Sequence, residues 1–435
     1  MNDVFKYILS RNSYKNKNFI IGENEIKYSY VQDISRSIVN KLKEVKISKS
    51  RICIYLEQSY LYGTSLLSIV NSNNVAVLLS KDWTKHEINK IIKHSESNFI
   101  FSDTKKTKFK SKFILKLHDN LYLLKTNLNS KKNSSSNEAV IIYSSGTTGN
   151  PKGIILTKKG ISNNVKAVSD YLKLSLIDNS TIFTPTCYAF SLSQTLTHMY
   201  KGASLLPIKS GLKFPNEIIK NFDKFKITGI TGPPTAFRIL LKKSFNKKFK
   251  TIRYCQLGGM PLDIKLVNKI EKKFPNSKII NVYGCSENSP RISYFYLNNN
   301  GLNENNYYSV GKSVKNTKIE IINKYNKLCK VNEIGEIVIS GNSLMKGYLK
   351  NKKLNKEKII KNRFYTGDNG YKNKLGYLFL VGRKDNIINI GNEKVSPEEV
   401  EQTLNSHKNI IESLVYSKNN NLLGSLVCAD LVVNK

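Results

Sequence analysis

EAVIIYSSGTTGNPKG, residues Glu138 to Gly153, joins an apolar run to a loop dense in hydrogen-bond donors. Ala139-Val140-Ile141-Ile142-Tyr143 is continuous, largely β-branched and flanked by polar segments, which predicts a central parallel strand. Ser144-Ser145-Gly146-Thr147-Thr148-Gly149 follows with four hydroxyls and two glycines, so backbone amides and side-chain donors can converge on an anion at short range. Lys152, behind the turn-forming Asn150-Pro151, adds a point charge. A Walker A loop would need Gly-Lys-Ser/Thr opening a helix. Here Lys152 lies between Pro151 and Gly153 and leads into Ile-Ile-Leu, so the stretch reads as a phosphate cradle of another kind.

Upstream of this stretch, Arg51–Glu57, Asn74–Ser80 and Asn98–Asp103 are short strand candidates. Between the last two, Thr84 and Glu87 form a capping box, and Ile88, Ile91 and Ile92 make the apolar stripe of a helix. Residues 125–137 are a polar linker into the loop. Downstream, Thr157 caps a helix carrying Ile161, Val165, Val168 and Leu172. A strand near 181–184, a helix near 216–223, a strand near 226–230, a helix over 261–274 and a strand at 278–283 continue the alternation. The expected fold is α/β, with a large N-terminal domain of two doubly wound sheets. From Tyr307 to Val381 the pattern turns to short alternating strands, as in GEIVIS and GYLFLV, which predicts a β-rich distorted barrel completing that domain. Past Gly382, NIINIGNEKV and the helix start Ser396-Pro397-Glu398-Glu399 open a small α+β unit, giving domains at 1–382 and 383–435.

The 435 residues and 40% apolar content call for two or three cored units. No apolar window is long enough to span a membrane, and the N-terminus lacks a signal-peptide pattern, so a cytoplasmic protein is expected. Six cysteines, Cys53, Cys187, Cys255, Cys285, Cys329 and Cys428, are scattered without CxxC spacing, as for reduced packing thiols. The five histidines match no motif and read as surface or packing residues. The net charge of +38 comes from Lys spread evenly among Asn, with no Arg-rich tract, which argues against nucleic-acid binding. A basic surface of this kind would steer polyanions such as coenzyme A or an acidic carrier protein.

Three further strings stand at turns after predicted strands, where α/β sheets place ligands. Gly258-Gly259 lets backbone approach a flat ligand closely. Asn281-Val282-Tyr283-Gly284-Cys285-Ser286-Glu287 offers an aromatic face, a hydroxyl and a carboxylate. Tyr365-Thr366-Gly367-Asp368 presents a carboxylate suited to a ribose diol. Together with SSGTTGNPKG, GEIVISGNSLMKGY (Gly335–Tyr348) and GRKDNIINIGNEKVSPEEVE (Gly382–Glu401), and in this order, they resemble the adenylate-forming superfamily of acyl- and aryl-CoA synthetases, nonribosomal peptide adenylation domains and firefly luciferase.

The resemblance implies roles at matching positions. Ser144, Ser145, Gly146, Thr147, Thr148, Gly149 and Lys152 would hold the ATP phosphates, with Thr148 and Lys152 serving the reaction itself. Gly259, Asn281, Tyr283, Gly284 and Ser286 would surround the adenylate, Glu287 would hold Mg²⁺, and Asp368 with Arg383 the ribose. Asp385 would be the hinge of the small domain. Tyr188 and Gly258 would line the substrate pocket, and Tyr188-Ala189-Phe190-Ser191 carries no Asp where amino-acid-activating relatives place one. The implied activity is ATP- and Mg²⁺-dependent activation of a small carboxylic acid, followed by transfer to the thiol of coenzyme A or of the phosphopantetheine on an acyl carrier protein. The family ordinarily closes with a Gly-Lys segment whose lysine contacts the reacting groups, whereas this chain reads LVCADLVVNK at its end. The expectation is an incomplete small domain and adenylation weakened by roughly 10²- to 10³-fold. The alternative is a nucleotide-binding remnant or partner subunit of the same fold.

Overall fold

The computed structural model describes residues 3–128, 135, 137–144, 151–208, 211–242, 247–297, 308–386, 388–390, 393–420 and 424–433. The opening stretch forms Glu138–Ser144, entirely apolar at its centre and buried from Ala139 to Tyr143. It runs parallel to Val75–Leu78, which in turn flanks Arg51–Tyr55 and then Phe99–Ser102, all parallel. Its other neighbour is Lys152–Thr157, and that pairing is antiparallel, with Ser144 opposite Lys152 and Ile142 opposite Ile154. The expectation of a strand parallel on both sides is corrected here. A parallel return needs a crossover of about a dozen residues, and residues 145–151 are too few for one. Six of them, 145–150, lie outside the described residues, and with them Ser145, Gly146, Thr147, Thr148 and Gly149.

Thr84 and Glu87 form the reciprocal capping box read from the sequence, starting the helix Lys85–Ser95. Thr157 caps Lys158–Tyr171 through the Gly160 amide. Residues 125 and 126 of the anticipated linker belong instead to the strand Leu121–Thr126, which pairs with Phe99–Ser102.

The second sheet contains a parallel run, Asn18–Ile20, Ser204–Pro207, Asn179–Ile182, Gly229–Gly232, Tyr254–Gly258 and Lys278–Gly284. From there it turns antiparallel through Arg291–Tyr296, Ser309–Ser313, Leu378–Arg383, Arg363–Lys372, Gly335–Gly341 and Thr317–Ile322. The β-rich region is therefore joined edge to edge with the second α/β sheet. Tyr60–Asn71, buried from Leu61 to Val70, lies against the Tyr28–Glu44 helix and is buried all round because it is apolar or small all round. Its Tyr62 hydroxyl donates to the Thr186 carbonyl, and the Thr186 hydroxyl donates to the Leu56 carbonyl, tying the first sheet to the second. Beyond Gly382, Ile388–Ile390 and Glu393–Val395 form one hairpin, Ile410–Asn420 and Gly424–Val433 another, and Pro397–Ser406 is the helix packed on the second. Ser396 accepts from the Glu399 amide and donates to the Val381 carbonyl at 2.6 Å, so the cap also fastens this unit to the preceding strand.

All six cysteines are free thiols, three of them buried. Among the described residues no helix is long and apolar enough to cross a membrane. Asp178, fully buried, takes a two-pronged contact from Arg253 at 2.5 and 2.7 Å. Burial alone would raise its carboxyl, but the Arg253 guanidinium, the Ser175 amide and the Thr228 hydroxyl hold it below the usual carboxylate range.

His198 is buried beside this pair, its Nδ1 2.8 Å from the Gln194 carbonyl and its Nε2 3.2 Å from the Tyr254 hydroxyl. Burial lowers its pKa from 6.5 to about 4. The folded imidazole stays neutral while the unfolded one protonates, so the unfolded state binds the extra proton as pH falls from 6.5 towards 4. Stability contributed by neutral His198 is complete above 6.5 and is lost across that window, on the order of 3 kcal/mol in all. Urea midpoints measured from pH 7 to pH 4 should fall for the native chain and fall less for His198→Gln; identical slopes would refute this.

Candidate active site

The second sheet changes from parallel to antiparallel at Lys278–Gly284, and the turn after it carries Cys285, Ser286 and Glu287. Asn281 and Tyr283 share one face of the strand by its two-residue period. Tyr283 is buried, and its hydroxyl donates to Asp368 Oδ2 at 2.5 Å. Asp368 stands in register with Arg383 on the neighbouring strand, and Arg383 Nη1 donates to Asp368 Oδ1 at 2.8 Å. Tyr283 thus joins the pair Asp368 and Arg383 in one chain, Tyr283–Asp368–Arg383. Burial, and then the adjacent carboxylate, push the Tyr283 phenol far above its ordinary value, so it remains a donor at any physiological pH. Arg383, at the end of this chain, is half exposed.

Asn281 is placed differently from a free adenine contact: its side-chain amide is buried and donates to the Ser309 carbonyl at 3.0 Å. At Gly258 an added Cβ would stand 2.5 Å from a Val282 methyl, which requires glycine at the strand end. Gly259 has φ +88°, a left-handed conformation that favours glycine, and faces open space, leaving room beside the Tyr283 strand for a flat group.

Glu287 accepts from the Tyr348 hydroxyl at 2.9 Å, and its carbonyl accepts from the Met345 amide at 2.7 Å. Tyr348 also belongs to the first sheet: Gly347–Tyr348 pairs with Lys152–Thr157, Tyr348 opposite Ile154, and the Leu349 amide donates to the Gly153 carbonyl. The hairpin that carries Lys152 is thereby held to the turn that carries Glu287. Tyr348 ends the quoted GEIVISGNSLMKGY block, and sequence reasoning gave it no role. Burial, reinforced by Glu287, raises its phenol strongly. Lys152 is half-buried at the start of its strand, opposite Ser144.

Cys285, between these groups, is kept protonated by burial and by the neighbouring Glu287 and Asp368 carboxylates. Among the described residues no cluster of three or more His, Cys, Asp or Glu side chains can hold a metal. A lone carboxylate nevertheless suits Mg²⁺, which keeps several waters and takes one or two protein carboxylates with substrate phosphates.

Tyr188 is half exposed and precedes the helix Ala189–Lys201. Two residues on, Phe190 lies under the guanidinium of Arg291, 4.1 Å from its ring centre. Neither Arg291 nor Glu287 belongs to an ion pair among the described residues. Asp385 falls in the turn Lys384–Asn386 just past Arg383, and its side chain lies outside the described residues.

A family model described as AMP-binding enzyme matches residues 10–349. Tyrocidine synthase 3 of Brevibacillus parabrevis is 27% identical over 430 residues, covering 95% of this chain and 7% of that protein. The oxalate–CoA ligase of Saccharomyces cerevisiae is 28% identical over 303 residues, 69% of this chain and 55% of that protein. The chain therefore spans about half the length of the latter relative and a small part of the former. The same fold occurs in o-succinylbenzoate CoA synthetase from Bacillus subtilis with its acyl-adenylate intermediate, at TM-score 0.83 and 21% identity, over 100% of this chain and 89% of that one. It also occurs in ATP-bound MatB from Rhodopseudomonas palustris, at TM-score 0.86 and 20% identity with the same coverage.

Proposed function

The chain belongs to the AMP-binding enzyme family, and from that premise we propose that it activates a small carboxylic acid as an acyl-adenylate at the turn Tyr283–Glu287. The observation that carries the reading is the joining of two chains of contact around one turn. Tyr283–Asp368–Arg383 offers an aromatic face and a carboxylate for a nucleoside, and Glu287–Tyr348 ties an acidic group to the Lys152 hairpin.

In this reading a carboxylate oxygen attacks the α-phosphorus of ATP. The bond to the bridging oxygen breaks, and pyrophosphate leaves with its electron pair. Two anions must meet, so the residues' task is to hold them and offset their charge. Lys152 and the hydroxyls of Ser144, Ser145, Thr147 and Thr148 would take the departing phosphates. Glu287 would hold Mg²⁺, which when bound supplies positive charge to the phosphate oxygens. Tyr283, Gly259 and Asn281 would frame the base, and Asp368 the ribose hydroxyls with Arg383 orienting it. Tyr188 and Gly258 would border the acid. In a second step a thiol sulfur, of coenzyme A or of a carrier-borne phosphopantetheine, attacks the acyl carbon and expels AMP. The CoA ligases among the relatives support coenzyme A, and the peptide synthetases support a carrier. Asp385, two residues after Arg383, would let the small unit turn between the steps.

The test is pyrophosphate release with a panel of carboxylic acids, oxalate included, alongside direct measurement of ATP binding. A carboxylate-dependent signal is expected. ATP binding without any such signal would instead assign the chain to nucleotide binding alone.

A further inference from the structure

Arg291 opens the strand that pairs with Tyr283 and Gly284, directly across the sheet from Gly284. It is 3% exposed. A cation withdrawn from water without an anion is among the costliest arrangements a fold can hold. Around it stand a ring face from Phe190 at 4.1 Å and the Tyr171 phenol, which favours its charged form. Tyr171 itself donates to Gln256 Oε1, on the strand that ends at Gly258, and stacks on Tyr294 at 4.4 Å. No carboxylate pairs with Arg291 among the described residues, and its Nε has no hydrogen-bond partner there. Burial correspondingly lowers its pKa.

The backbone that presents this cation is fixed. Asn164 donates to the carbonyls of Asn288 and Arg291 and accepts from the Arg291 amide, and Ser289 donates to the Ser343 carbonyl. Two acidic groups of the nucleotide-facing site are engaged elsewhere, Glu287 with Tyr348 and Asp368 with Tyr283 and Arg383. The cation is thus separate from the nucleotide-facing groups, yet one strand away from Tyr283, with its guanidinium over Phe190 in the helix that follows Tyr188.

We propose that Arg291 is the counter-ion for a second acidic group on the substrate, so that the acid activated at this turn is a dicarboxylate. The proposal rests on the adenylation reading above. One carboxylate faces the α-phosphate, and the other ends beside Arg291, Phe190 and Tyr171. A guanidinium fork fits a carboxylate in two parallel hydrogen bonds, and the unpartnered Nε supplies one of the donors.

The experiment compares pyrophosphate release for oxalate, malonate, succinate, glutarate and adipate against butyrate, pentanoate and hexanoate, in the native chain, Arg291→Met and Arg291→Lys. The native chain should favour one or more of the diacids. Arg291→Met should lower that diacid-to-monoacid ratio in kcat/KM by about 100-fold, mainly through KM, as for loss of one partner of a buried charge pair. Arg291→Lys should recover part of it. Unliganded Arg291→Met should melt at or above the native temperature, because an apolar chain of similar length replaces an unpaired buried charge. Equal loss on both acid classes, or a native preference for monoacids, would overturn the proposal. If no acid releases pyrophosphate, calorimetric titration of the same diacids into the chain with AMP decides it: binding lost in Arg291→Met sustains the dicarboxylate site even though the adenylation reading has failed, and binding absent or indifferent to Arg291 refutes it.

Discussion

Glu287→Gln should lower carboxylate-dependent pyrophosphate release by roughly 10²- to 10³-fold, the scale set by deleting one preorganised electrostatic group at a reacting centre. Glutamine keeps the shape of the side chain, and its carbonyl oxygen still accepts from Tyr348, so the tie to the Lys152 hairpin survives. What is removed is the negative charge that would hold a hard cation on the phosphates. The loss should fall mainly on kcat, with AMP affinity little changed, because Tyr283, Asp368 and Arg383 are untouched. Thermal melting is the control. An unchanged rate would remove Glu287 from the reaction, and a collapse in melting temperature would make it a structural acceptor for Tyr348.

Gly284→Ala should be nearly as damaging, through geometry alone. A Cβ there would lie 1.9 Å from the Pro290 carbonyl oxygen, inside any contact real atoms tolerate. Relief requires backbone movement, and both strands resist it, since Gly284 pairs with Arg291 and Arg291 is fastened by Asn164. Overpacking of this kind costs about 1–3 kcal/mol. The displacement would separate Tyr283 from Glu287, and a shift of about 1 Å at a reacting centre costs on the order of 10²-fold in rate. Activity measured with the melting curve of the same variant checks this; native activity in Gly284→Ala would show that the turn needs no such closeness.

The alternating strand and helix pattern was legible because each amphipathic helix declares its period, as in Lys85–Ser95 and Lys158–Tyr171, down to the caps at Thr84 and Thr157. Tyr60–Asn71 and Ala189–Lys201 lie buried on nearly every side, so they carry no polar stripe to mark them as helices. Tyr28–Glu44 does carry one, with Val31, Ile34, Ile38 and Leu42 inward, and a period count would have found it. The antiparallel turn-back at Ser144 was hidden because an all-apolar strand reads the same whether its neighbour is parallel or not. In the site, Tyr283, Glu287, Asp368 and Arg383 were legible as motif residues, and the structure joins them into two connected chains. Tyr348 and Arg291 were not singled out, since their significance lies in partners about 60 and 100 positions away in sequence, Glu287 and Phe190. A lone Arg within an apolar strand, RISYFY, was the available signal for the second.

The central claim is attack by a carboxylate on the α-phosphorus of ATP. It is tested most directly by supplying ATP and a free carboxylic acid that the chain accepts, labelled with ¹⁸O in its carboxylate, with hydroxylamine as acceptor. Acyl-adenylate chemistry transfers one labelled oxygen to the phosphate of AMP, because cleavage at the acyl carbon leaves that oxygen on phosphorus. Mass spectrometry should find AMP heavier by one ¹⁸O, with unlabelled pyrophosphate. Unlabelled AMP, or label in inorganic phosphate from attack at the γ-phosphorus, would contradict the account.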